Sequence, residues 1–157
     1  MIVYHSSSSA VSSPDIYHSR NNLDFGRGFY VTSLEAQALK YAERFLLRGQ
    51  NAYLNIYELA DDLSAFNVLE FDRYDEGWLD FVSCCRRSAD ISDYDIVIGG
   101  IANDKVFRTI DLYFAGDINK DEALKRLKYE LPNHQMCLRN QRLIDEKLKF
   151  VTSVEIK

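Results

Sequence analysis

The stretch Asp24-Phe25-Gly26-Arg27-Gly28-Phe29-Tyr30-Val31-Thr32 (DFGRGFYVT) decides how the rest of the chain is read. Two glycines one residue apart permit backbone angles that side chains forbid, and they let the main chain approach a neighbour closely. The residues that follow are β-favouring, and if they form a strand Phe29 and Tyr30 must point to opposite faces. A ring beside a closely approachable backbone forms a slot for a flat ligand, held by stacking and by amide hydrogen bonds. The same pattern also fits an ordinary tight turn with a core phenylalanine and a surface tyrosine.

Working outward, MIVYH at 1–5 is a short apolar run that reads as a strand ending at His5. The polar stretch 6–22, with its serine cluster and Pro14, is a loop placed to skirt a site. Downstream, Thr32 and Glu35 fit a capping box. Leu34, Ala38, Ala42, Phe45 and Leu46 follow at helical spacing, so a helix is expected over 33–48, ended by Gly49. Strands are expected at 52–59 and 65–71, a helix at about 75–87, and a strand at 94–99 closed by Gly99 and Gly100. The next helix carries Val106, Phe107, Ile110 and Tyr113, with Asn103 or Asp104 as its cap, and Gly116 stops it. Asn119 and Glu122 open another through a second capping box, with Ile118 and Ala123 as its staple. A strand at 134–138, a short helix from about 141 and a closing strand near 148–156 complete the chain. About six strands and five interspersed helices predict an α+β chain, one domain over 1–157, without internal repeats.

Composition agrees with that reading. The 157 residues are 46% hydrophobic and 27% charged, which excludes a disordered chain. No apolar run approaches the roughly 18 residues of a membrane span, and MIVYHSSSS lacks a basic segment followed by an apolar one. A cytoplasmic protein without membrane attachment is therefore expected. The net charge of −5 is unevenly spread: residues 61–100 carry three basic and ten acidic side chains, residues 101–157 eleven and nine. A nonspecific nucleic-acid binder would carry a basic excess over the whole domain. Cys84, Cys85 and Cys137 lack zinc spacing and read as buried thiols, the adjacent pair lying on a helix with one thiol inward. No metal is expected.

Five motifs in order extend the reading. They are YHSS at Tyr4–Ser7, DFGRGFYVT at Asp24–Thr32, YDIVIGGIANDKVF at Tyr94–Phe107, PNHQMCL at Pro132–Leu138 and LKFV at Leu148–Val151. Together they resemble a bacterial family of unknown function grouped with the ADP-ribosyltransferase superfamily, of the His-Tyr-Glu type, whose members are often the toxin half of toxin–antitoxin pairs. The resemblance implies split, mainly antiparallel sheets around an NAD cleft, flanked by helices. NAD would be a substrate, and nicotinamide would be released. The acceptor would be an intracellular macromolecule of unspecified type, and a cognate antitoxin would be the partner.

The resemblance also implies roles for single residues. His5 would hold the adenosine ribose, and the backbone at Ser6 would grip the nicotinamide carboxamide. Tyr30 would stack on the nicotinamide ring beside Gly28, while Arg20 and Arg27 flank the slot and could meet the pyrophosphate. Gln135 falls where the triad usually presents glutamate, so catalysis would rest on Gln135, Tyr30 and His5. His134 and Gln135 must face opposite ways in a strand, and Gln135 is expected to point into the cleft. Two positions depart from the family pattern: Ser6 replaces a glycine, and Gln135 can hydrogen-bond a ribose hydroxyl but cannot accept a proton as a base. Asp104 is the carboxylate to inspect as an alternative base, although capping preferences favour a plain helix cap. His18 and Asn22 could cover the ligand. Two other readings remain at this stage: an NAD glycohydrolase using the same cleft, and a noncatalytic module that binds NAD or a partner.

Overall fold

The computed structural model describes residues 1–90, 92–100, 104–130 and 133–157. The elements run β1 (Ile2–Ser7), β2 (Phe29–Val31), α1 (Glu35–Leu47), β3 (Ala52–Leu59), β4 (Val68–Glu70) and α2 (Glu76–Arg86). They continue with β5 (Ile96–Gly99), α3 (Asp104–Phe114), α4 (Lys120–Leu127), β6 (Gln135–Leu138), α5 (Gln141–Lys147) and β7 (Leu148–Ile156). The chain is a mixed α+β structure with two sheets. One, in the order β1-β3-β7, is antiparallel throughout; the other runs β2-β6-β5-β4 and pairs β4 with β5 in parallel.

Side-chain alternation on β2 explains the layering. Phe29 and Val31 enter a core between the sheets with Val3, Tyr57, Met136 and Leu138. Tyr30 points the other way, into a second core with Val97, Cys137, Trp78 and Ile110 beneath α2, α3 and α4. Each fully buried large apolar side chain is worth about 1.5–3 kcal/mol of transfer free energy, so both faces of the second sheet contribute heavily to stability. The sheets meet where Tyr4 and Thr32 exchange backbone hydrogen bonds of 2.8 and 3.0 Å. On the far side of the first sheet, α1 packs on β1 and β3 and buries Ala38 and Ala42.

Several expectations change in detail. Thr32 does not cap α1: the N-cap is Leu34, without a side-chain cap bond, and Glu35 is the first helical residue rather than the third. The bridge to Tyr4 keeps Thr32 in extended backbone, and its hydroxyl accepts from the Leu34 N–H at 3.1 Å. The strand expected at 65–71 shortens to β4, because the Phe66 N–H turns back to the Leu63 carbonyl and Asp95 takes the Asn67 N–H. Seven strands stand among the described residues, since the three-residue β2 is a strand in its own right. Asn119 caps α4 as expected, accepting from the Glu122 N–H at 2.8 Å. Cys85 is buried and Cys84 exposed on α2, while Cys137 is buried. Asp104 opens α3; the alternative cap, Asn103, lies outside the described residues. No helix among the described residues is long and apolar enough to cross a membrane.

Candidate functional site

His5 lies at the seam of the two sheets. Its phase on β1 matches Val3, so the ring turns toward the second sheet and rests on Phe29, with centroids 4.4 Å apart. Nδ1 donates to the Tyr30 carbonyl at 2.7 Å. Burial lowers the affinity of this histidine for a proton, against the opposing pull of the Tyr30 carbonyl. A neutral ring that donates from Nδ1 leaves Nε2 as an acceptor, suited to a hydroxyl donor such as a ribose. Ser6 faces α1 instead, where its hydroxyl donates to the Ala38 carbonyl.

The glycine turn is used by the protein's own chain. A Cβ at Gly28 would lie 2.5 Å from Cys137 Sγ and 2.6 Å from the Leu138 carbonyl oxygen. The missing side chain is therefore required for β2 to approach β6, and ligand approach is not needed to explain it. The Gly28 N–H donates to Ser19 Oγ at 3.1 Å. Gly26 takes a positive φ of 77°, closing the turn. The Tyr30 hydroxyl donates to the Gly26 carbonyl and accepts the Phe25 N–H at 3.2 Å, so this side chain braces the turn from within. Burial raises its pKa, and the neighbouring Cys137 adds to the effect. Cys137 and Cys85 are both pushed up to about 12, chiefly by burial, and neither is a ready nucleophile.

Alternation along β6 separates His134 from Gln135. Met136 and Leu138 belong to the core between the sheets, while Cys137 belongs to the helix-side core. His134 lies just before β6, and its ring meets Ser33 beyond the end of β2. Gln135, in phase with Cys137 and opposite Gly99, takes the helix-side face. This corrects the expected orientation, which placed Gln135 toward the cleft between the sheets. The Gln135 amide makes no hydrogen bond among the described residues and is partly exposed. His134 is held through its main chain and Nδ1. Nδ1 lies 3.0 Å from Ser33 Oγ, the Gln37 side chain donates to its carbonyl at 2.7 Å, and Gln37 Oε1 accepts its N–H at 3.2 Å. Burial lowers its pKa, and the charge of Glu70 acts in the opposite direction.

The 6–22 loop is a strap across the open side of the inter-sheet core. Val11 and Ile16 pack against that core. The Val11 N–H donates to Asn55 Oδ1 at 2.8 Å, and its carbonyl accepts the Tyr57 hydroxyl at 2.6 Å. Asn55 is fully buried, accepts a second bond from Ser153 and donates to the His5 carbonyl and Ser7 Oγ. Gln141 accepts the Ile16 N–H at 3.1 Å and ties the strap to α5. Arg27 donates to the Tyr17 carbonyl at 3.0 Å, so it braces this strap. Arg20 is exposed, with no side-chain hydrogen bond or ion pair among the described residues. His18 pairs with Asp15, and Asn22 accepts from Ser88.

Asn55, Ser33, Gln37 and the His134 face escaped the sequence reading. A signal for Asn55 existed: it is the one amide in the apolar run AYLNIYEL, in phase with Tyr57 and Leu59. Two concavities of about 450 and 370 Å³ lie along α3 from Asp104 to Asp117 and beside Tyr17, Tyr94 and Arg139. Neither is lined by His5, Tyr30, His134 or Gln135. Among the described residues no group of three His, Cys, Asp or Glu side chains is placed to hold a metal ion.

Two histidine-centred groups thus stand on either side of the bridge that links the sheets: His5 with Phe29 and Tyr30, and His134 with Ser33 and Gln37. Neither a curated protein nor a solved structure matches the chain. A sequence family does match, over residues 1–150, and the chain belongs to it: the family described as Protein of unknown function (DUF3990).

Proposed function

We propose that the protein is an NAD-dependent ADP-ribosyltransferase, a bacterial toxin that modifies an intracellular macromolecule and releases nicotinamide. The observation that carries this reading is the meeting of three motif-bearing strands at one seam. His5 on β1 reaches the Tyr30 carbonyl on β2, and β6 lies directly beside β2. The motifs that resemble the superfamily are far apart in sequence, yet their strands adjoin where two sheets pack face to face.

The chemistry suits the groups present. Cleaving the nicotinamide–ribose bond develops positive charge on the ribose, as in other glycosidic cleavages. His5, neutral and with Nε2 open, would take a ribose hydroxyl and orient that ring. The strap, by excluding water, would strengthen each polar contact. Tyr30 would act through its carbonyl and the turn it braces, since its hydroxyl is already engaged. A macromolecular acceptor and a cognate antitoxin remain part of the proposal, and a cytoplasmic location goes with them.

The test is incubation of the full chain with bacterial lysate and labelled NAD. Labelled macromolecule and free nicotinamide in equal amounts are expected, with both lost in His5→Ala. ADP-ribose accumulating without any added macromolecule would instead make the protein an NAD glycohydrolase. One observation favours a noncatalytic binding module: Val11 and Ile16 of the strap pack directly against the core between the sheets. Calorimetry showing NAD bound without turnover in any lysate would establish that reading.

A further inference from the structure

We propose that His134 is the general base of this site, taking the acceptor's proton at Nδ1, with Ser33 and Gln37 as positioning residues. The inference rests on the ADP-ribosyltransferase reading above.

Three observations carry it. His134 stands immediately before β6, two residues ahead of Met136, which is buried between the sheets, and its ring meets Ser33 just past β2. The ring nitrogen nearest Ser33 lies 3.0 Å from its hydroxyl. The Ser33 backbone N–H also points at this nitrogen, at 3.5 Å, so Nδ1 is an acceptor and the proton of the neutral ring sits on Nε2. Finally, the Gln37 side chain reaches across from α1 and engages both backbone polar groups of His134, at 2.7 and 3.2 Å. A ring fixed through its main chain and one nitrogen keeps its direction, as an effective base must.

Burial lowers the proton affinity of His134 below the ordinary histidine value of 6.5, so the ring is uncharged at neutral pH. The charged group whose field reaches it is Glu70 on β4. From the β2–α1 side it meets the uncharged Ser33 and Gln37, and the titratable group of β1 on this side of the second sheet is His5, over Phe29. Gln135 has no such setting, and its amide cannot take up a proton.

In the proposed step the acceptor's O–H or N–H replaces the Ser33 hydroxyl at Nδ1. Its proton passes to Nδ1 while its lone pair forms the bond to ribose C1′. The C1′–N bond breaks, and its electron pair returns to the pyridine ring, which departs as neutral nicotinamide. The imidazolium, steadied by the negative charge of Glu70, then releases its proton to water.

The experiment combines turnover with histidine NMR on the full chain. His134→Asn should slow nicotinamide release with lysate by about 100-fold or more, with KM for NAD changed only a few-fold. Added imidazole should restore part of the rate, and the rising limb of the wild-type pH profile should disappear. Gln37→Ala should lower kcat rather than raise KM. Nitrogen-15 spectra of the wild-type protein at neutral pH should show Nδ1 of His134 unprotonated. A proton on Nδ1 would overturn the inference even if the variant failed to fold. Wild-type turnover persisting in folded His134→Asn would overturn it alone, whereas no turnover in the wild type would overturn the enzyme reading with it.

Discussion

The two faces of the second sheet hold their polar groups in different ways. Toward the helices, the Tyr30 hydroxyl is absorbed by its own turn, Cys137 is sealed, and Gly28 is bare because β6 lies against it. Toward the first sheet, His5 and His134 each keep one ring nitrogen on a partner and sit only partly exposed. The first face uses polar atoms to build the turn, whereas the second holds uncharged imidazoles in fixed orientations. Because strand side chains alternate, a shift of one residue moves an assignment from one kind of face to the other.

The largest test of this contrast is Gly28→Ala. A methyl group there meets a sulfur and a backbone carbonyl at 2.5 and 2.6 Å, and the carbonyl cannot yield without parting β2 from β6. A loss of about 3 kcal/mol or more in urea-unfolding free energy is expected. Gly26→Ala is the comparison, since its methyl would meet only Cys85 Sγ at 3.7 Å but would sit at a positive φ. That change should cost about 1–2 kcal/mol. If Gly26→Ala proves the more damaging, the turn serves backbone conformation more than strand approach.

The glycine turn also shows what could be read in advance. The strand after it, the helix after that and nearly every later element follow from period and punctuation, and they recur in the structure. The start of α1 departs from expectation, because Thr32 and Glu35 have the spacing of a capping box while Thr32 is held in a bridge between the sheets. The competing partner, Tyr4, is 28 residues away, and no local pattern announces such a bridge. The same applies to the site. The histidines could be nominated from sequence, but the choice between His134 and Gln135 depends on which face of β6 meets β1. That is set by long-range pairing. Asn55 was the legible exception, an amide in a strand that is otherwise apolar on that face.

A smaller effect is expected from Tyr30→Phe. The change leaves the Phe25 N–H and the Gly26 carbonyl without the hydroxyl, for a loss of about 1–2 kcal/mol in the same unfolding measurement. The bond from His5 to the Tyr30 carbonyl is untouched. The NMR signals of His5 and His134 should therefore stay in place. If they move, the two faces are coupled and the division drawn above is too sharp.

The pH dependence comes next. His5 and His134 both have lowered pKa values, mainly through burial, so the unfolded chain takes up protons first as pH falls. Their contribution to stability is fully present above about pH 6.5, the ordinary histidine value, and is lost as pH falls toward their folded values. Unfolding free energy should decline from pH 7 to 5 in the wild type. It should flatten in the double variant His5→Asn/His134→Asn. A flat wild-type profile would mean that neither ring is held neutral by the fold.

Gln135→Ala should have the smallest effect on stability. Its amide has no hydrogen-bond partner among the described residues, and its neighbour across the ladder is Gly99, so truncation strands no polar group and opens no core cavity. A change within about 0.5 kcal/mol is expected. Stability alone would not settle the matter, because a ligand-binding side chain can also be structurally idle. The informative measurement is nicotinamide release by folded Gln135→Ala beside folded His134→Asn. If the first retains the wild-type rate and the second does not, the chemistry belongs to the face turned toward β1. The opposite pattern would return it to the helix side, and His134 would then be an anchor for the start of β6 rather than its reacting group.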